Sequence, residues 1–137
     1  RQFLIDCETD FIPNILEAMA RNDLEILRDW CYEGTYNMFK MQYEELKAKN
    51  YRLVTHILDI DHVDILTGKV VDEHGPVLFI TFQAQLISYV QDNTGAMVEG
   101  STDKVFRANY VWALCRDPNE LDPKAAWRLL ECSMNMN

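Results

Sequence analysis

No apolar run in this chain approaches the roughly 20 residues that a helix needs to cross a bilayer, and no presequence or secretory leader is recognisable at its start. A chain that opens on Arg1 is expected to be an excised domain. There is no G-x-S-x-G, no P-loop, no G-x-G-x-x-G and no defensible catalytic Cys–His pattern. None of the four cysteines stands in a C-x-x-C pair, so a zinc knuckle or thioredoxin-like motif is unsupported. Positive charge is also short: 13 Lys and Arg face 22 Asp and Glu, a net charge of −9. Such a field repels polyanions, which argues against nucleic acid, and against anionic lipid unless a local basic or apolar patch overrides it.

What the chain does have is a sheet written in period 2. In residues 105–116, Phe106, Ala108, Tyr110, Trp112 and Leu114 fall on one side of an extended backbone, and Val105, Arg107, Asn109, Val111 and Ala113 on the other. One large apolar face and one mixed face describe an antiparallel strand with a packed side and a partly wet side. Residues 77–91 repeat the pattern, with Leu78, Ile80, Phe82, Ala84 and Leu86 against Thr81, Gln83 and Gln85. Asp92-Asn93-Thr94-Gly95 reads as a hairpin turn, and Met97, Val98 and Glu99 as a brief pairing. The stretch after Tyr51 is rich in β-branched residues and predicts a strand with room for a bulge, followed by turn signals at Thr67-Gly68 and His74-Gly75-Pro76. Asp117-Pro118 and Asp122-Pro123 mark a loop before a last strand beginning near Trp127, in which Leu129 and Glu131 alternate with Leu130 and Cys132.

The first 50 residues have helical period. Phe3, Leu4, Cys7 and Phe11 form a stripe, a break or kink is expected at Phe11-Ile12 with Pro13 in the first turn of a new helix, and Ile15, Leu16 and Met19 continue the apolar face. Asn22 or Asp23 caps the next helix. Gly34 predicts a bend, and Tyr36, Phe39, Tyr43 and Leu46 step at 3 and 4 toward a stop at Asn50. Helices first and strands after predict α+β: a single domain over 1–137, helical over 1–50 and sheet over 51–134. A strongly curved four-stranded antiparallel sheet would then wrap the helices as a cone with an apolar pocket. Leu78, Ile80, Phe82, Phe106, Tyr110 and Trp112 are the expected pocket lining. The cysteines, each in an apolar or amphipathic stretch, are expected as buried free thiols of a reducing compartment.

The richest polar cluster is His56, Asp59, Asp61, His62 and Asp64. On a regular strand Asp59 and Asp61 share one face and His62 and Asp64 the other, so no three converge on a metal. A solvated strand face is the expectation, with no metal, no cofactor and no catalytic residue. The interior faces of the two clearest strands carry no carboxylate and no histidine, so neither supplies a general base. Asp59 or Glu131, from the first and last strands, would be the only carboxylates left to serve an enzyme in the cone.

Several long runs together resemble a known family. Gly75-Pro76-Val77-Leu78-Phe79-Ile80-Thr81-Phe82-Gln83-Ala84-Gln85, Tyr110-Val111-Trp112-Ala113-Leu114-Cys115-Arg116-Asp117 and Glu120-Leu121-Asp122-Pro123 through Trp127-Arg128-Leu129-Leu130 are the longest. With Ile12-Pro13-Asn14 and Asp29-Trp30-Cys31-Tyr32-Glu33 they are similar to the C-terminal domain of the forty-four-kilodalton peripheral subunits of the mitochondrial presequence translocase. The resemblance implies a nuclear-transport-factor-two-like, cystatin-like cone without catalytic activity. It implies a peripheral position on the matrix side of the mitochondrial inner membrane. The implied partners are the import channel, the matrix heat-shock-seventy chaperone with its J-proteins, and cardiolipin-containing membrane. Membrane contact in that family lies in the opening helices, which implies Phe3, Leu4, Phe11 and Ile12 as apolar contributors here. A small-molecule or enzymatic cone domain and a mitochondrial ribosomal protein of the same fold are the competing readings.

Overall fold

The structure is a computed structural model and describes residues 5–71, 75–116 and 127–136. A π-helical turn, Cys7–Phe11, runs into helix α1, Ile12–Arg21. Helices α2, Leu24–Trp30, and α3, Glu33–Ala48, follow. The strands are β1, Arg52–Val71; β2, Gly75–Gln91; β3, Met97–Gly100; β4, Phe106–Arg116; and β5, Trp127–Met136. All pair antiparallel, in the order β1-β2-β4-β5, and β3 pairs with the far end of β2 on the side that β4 also uses. The expected α+β class holds, with β3 as a fifth, short strand.

The start of the chain shows how the sequence chooses its geometry. Pro13 cannot donate a backbone hydrogen bond, yet Phe11 and Ile12 both keep right-handed helical dihedrals, so the irregularity expected at Phe11-Ile12 is a change of helix type without a break. The turn instead widens to i→i−5, with the Ile12 N–H reaching the Cys7 carbonyl. Asn22, in the left-handed region at φ 57°, ends α1. The Asp23 carboxylate caps α2 by accepting from the Ile26 N–H at 3.3 Å. Asn50, at φ 60°, closes the turn after α3.

The sheet is strongly curved. Helix α3 touches both β1 and β5, the two edges of the four-strand path. A helix about 10 Å across reaches both edges only if strands set about 4.8 Å apart curl around it. The β5 edge is also tied down: Tyr32 N–H donates to the Leu129 carbonyl at 2.9 Å, and the Thr35 hydroxyl donates to the Leu130 carbonyl. The core lies between α1, α2 and the concave face, where Ile12, Ile15, Leu27, Ile80, Phe82, Trp112, Leu114 and Leu129 are buried.

Bulges change three sequence expectations. Strand β1 runs through Thr67-Gly68 to Val71, so that dipeptide is not a turn; the reversal falls between Val71 and Gly75, and His74 lies outside the described residues. A register shift between Asp61 and Asp64, with His62 at φ 56°, adds a residue and returns Asp64 to the face of Asp59 and Asp61. Their partners Thr81, Gln85 and Gln83 all lie on the face opposite buried Ile80, Phe82 and Ala84. A shift in β4–β5 pairing sets Leu129 opposite Leu114 and Cys132 opposite Trp112, so these two share the core side despite odd spacing.

All four thiols are free, with Cys7, Cys31 and Cys115 buried and Cys132 half-buried. Burial, with a smaller effect of Asp6, pushes Cys7 up to about 12. Burial, and then the neighbouring Cys132, pushes Cys31 up to about 12. Cys132 rises to about 11, again by burial, against the Trp112 hydrogen bond. Unfolding releases each thiol to its ordinary value of 9.0, so above that pH the unfolded chain binds fewer protons than the folded one. Stability is therefore expected to be insensitive to these groups below pH 9.0 and to fall between 9.0 and about 11. Each thiol contributes up to about 1.4 kcal/mol per pH unit there. Urea melts across that range check it, and Cys31→Ala should flatten the slope. Gly100 supplies a second test: at φ +91° a Cβ would lie 2.5 Å from the Ser88 carbonyl oxygen. Gly100→Ala should cost about 3 kcal/mol, and Gly95→Ala, where a Cβ meets nothing within 4 Å, about 1 kcal/mol.

Candidate functional site

The helices do not fill the cone. A cavity of about 380 Å³ remains at the end where β1 begins. Leu16, Met19 and Ala20 of α1, Leu27 of α2, and Phe39 and Gln42 of α3 form its roof. Its floor is period-2 sheet: Leu53, Thr55 and Ile57 of β1, Leu86 and Ser88 of β2, Tyr110 of β4 and Met134 of β5. The pairs Ile57–Leu86 and Thr55–Ser88 sit directly across from each other in the β1–β2 register, so they point into the same space.

The lining is neutral throughout, its polar groups being Gln42, Thr55, Ser88 and Tyr110. The Thr55 and Ser88 hydroxyl oxygens are 3.4 Å apart, a long contact. The Tyr110 side chain is held by its ring, stacked on Phe82 at 4.8 Å and edge-on to Trp112 at 6.1 Å. Burial, and secondarily Cys132, pushes its phenol up to about 12, so it stays protonated and serves only as a neutral donor or acceptor. Among the described residues no general base faces this space. Asp59 pairs with Gln85 on the convex face, and Glu131 lies opposite Ala113, whose side chain packs in a small convex cluster with Val77 and Cys115. His62 Nδ1 sits 2.8 Å from Asp61, exposed on the outer strand. Among the described residues no three His, Cys, Asp or Glu side chains converge on a point that would suit a metal.

The six expected lining residues separate. Tyr110 does line the cavity. Ile80, Phe82 and Trp112 are 0–2% exposed and belong to solid core, because α1 and the π-helical turn pack onto that part of the sheet. Phe106 is half-buried against the core, and Leu78 is half-buried near the end of the sheet. The alternations at Leu53, Thr55 and Ile57 and at Leu86 and Ser88 were visible in the sequence, but not which end of the cone the helices leave open. Of the four residues assigned to membrane contact, Phe11 and Ile12 are 6% and 0% exposed. Phe11 packs edge-on against Trp30 at 5.3 Å, and Ile12 lies within the core, so neither offers its side chain to a lipid surface. Phe3 and Leu4 lie outside the described residues. No described helix is long and apolar enough to cross a membrane.

Together these features define an α+β cone: helices closing a curved antiparallel sheet over a neutral cavity. The same fold occurs in a solved structure, the intermembrane space region of the chloroplast protein ARC6, with a TM-score of 0.60 at 10% identity, covering 99% of this chain and 94% of that one. The family model for the Tim44-like domain matches residues 1–134, and the chain belongs to that family. It is 54% identical over 132 residues, 96% of its length, to the human mitochondrial import inner membrane translocase subunit TIM44. It is 42% identical, over 98% of its length, to the probable subunit tin-44 of Caenorhabditis elegans. The chain spans 29% and 32% of those two relatives.

Two substitutions separate core from cavity. Trp112→Phe removes volume at a fully buried position and the indole N–H that reaches Cys132 Sγ at 3.0 Å. It should cost about 2–3 kcal/mol in chemical denaturation. Tyr110→Phe removes a hydroxyl at the cavity wall and should cost under about 1 kcal/mol.

Proposed function

We propose that this chain is a non-enzymatic docking domain of a mitochondrial inner-membrane protein import translocase. It sits peripherally on the matrix face, engages the import channel, and so helps to hold the matrix heat-shock-seventy chaperone and its J-protein partners at the channel exit. The observation that carries this reading is the 54% identity to the human translocase subunit over almost the whole chain. The cavity is in keeping with it: among the described residues its lining carries no carboxylate, histidine or cysteine, and a docking role needs none. Tethering a motor beside a channel raises its effective concentration at the emerging polypeptide, which needs affinity and geometry but no bond chemistry. Contact with cardiolipin-containing membrane belongs to the same proposal. Its apolar contributors are now Phe3, Leu4 and the half-exposed Ile5, with Phe11 and Ile12 assigned to the core. A ribosomal reading fits poorly with a net charge of −9.

The test replaces the matching segment of the human subunit with this chain in mitochondria depleted of the native protein. Channel subunits should co-purify with the chimera, and presequence import should recover. A chimera that accumulates at the native level but retrieves no channel subunit would contradict the proposal.

A further inference from the structure

In a chain of net charge −9, one cleft is lined by cations alone among its charged groups. It encloses about 340 Å³ between the end of α1, the end of α3 and the start of β1. Arg21, Lys47 and Arg52 line it, with the Tyr43 and Tyr51 side chains. We propose that this cleft binds a phosphate group, an inference that does not rest on the translocase reading.

Three observations carry it. First, the cations are poorly neutralised: Arg21 comes no nearer than 4.0 Å to Asp23, whose other carboxylate oxygen caps α2. The Lys47 ammonium lies 5.9 Å above the Tyr43 ring. Arg52 makes no ion pair or hydrogen bond among the described residues. Second, the nearest carboxylate along the paired strand is engaged in its own turn. Asp92, next to Gln91 opposite Arg52, accepts from the Thr94 N–H at 2.9 Å, the Thr94 hydroxyl at 2.6 Å and the Ala96 N–H at 3.1 Å. Third, helix dipoles do not account for the set. Arg21 and Lys47 stand in the last turns of α1 and α3, where cations complement the dipole, but Arg52 opens a strand. Like charges gathered with Asp23 as the one nearby counter-charge among the described pairs cost stability, and an anionic ligand would relieve that cost.

Two guanidinium forks, an ammonium and two phenols match the several oxygens and the charge of about −2 on a phosphate better than a single carboxylate. Leu53 lines both this cleft and the apolar cavity. A phosphate ester with an apolar body would thus meet suitable surface on both sides of that residue. The phosphate can come from a soluble ester or from a lipid headgroup.

The test is amide NMR on the 137-residue chain, titrated first with inorganic phosphate. Saturable shifts should centre on Arg21, Asn22, Lys47 and Arg52. Affinity should fall at least tenfold in K47Q/R52Q and stay unchanged in K69Q/K104Q, which removes the same charge from exposed sites elsewhere. A second arm adds phosphatidylcholine vesicles with or without phosphatidic acid. Displacement of phosphate only by the acidic vesicles, lost in K47Q/R52Q, supports the site with a lipid source. Retained phosphate binding without displacement supports it with a soluble source. No saturable shift, or equal losses in the two double variants, would overturn it.

Discussion

The fold depends on three rings locked across two strands. Phe82 on β2 stacks on Tyr110 of β4 at 4.8 Å and meets Trp112 edge-on at the same distance, while Tyr110 and Trp112 meet edge-on at 6.1 Å. Each such pair adds about 0.5–1.5 kcal/mol beyond the area it buries. The larger effect is geometric. Phe82 pairs with Tyr110, and Trp112 lies two residues further along opposite Ile80, so the rings fix register between the two central strands. They also make a firm concave floor onto which α1 packs Ile12, Ile15 and Leu16. The cavity begins where that floor gives way to the smaller side chains Thr55 and Ser88.

Much of this was legible in the sequence because periodicity reports burial directly. The alternation from Phe106 to Leu114 became β4 with its apolar face in the core, and the change of period after Asn50 marked the passage from helix to sheet. What was not legible turns on single inserted residues. One extra residue near His62 moves Asp64 to the other face. Pro13 gave a true signal with an unexpected outcome, since its missing N–H widened a turn and left the helix whole. Cavity placement was out of reach for a different reason: apolar residues lining a void and apolar residues filling a core have the same pattern, and only helix position separates Leu86 from Phe82. Phe11 and Ile12 were placed at the membrane by the family resemblance, whereas their burial matches the core packing that their periodicity allows.

A firm sheet and a roof of helices enclose a neutral hollow. The buried groups with raised protonation equilibria are thiols and a phenol, all kept in their neutral forms near neutrality. Charge is instead placed outside. Asp59, Asp61 and Asp64 lie along the convex face of β1, and the cations gather where that strand begins, near Arg52.

Native-state hydrogen exchange tests the central role of the ring lock most directly. The amides of β2 and β4 around Phe82, Tyr110 and Trp112 should exchange only with global unfolding, while α3, whose exposed side carries Met38 and Met41, opens at lower free energy. Slower exchange in α3 than in those two strands would contradict the account.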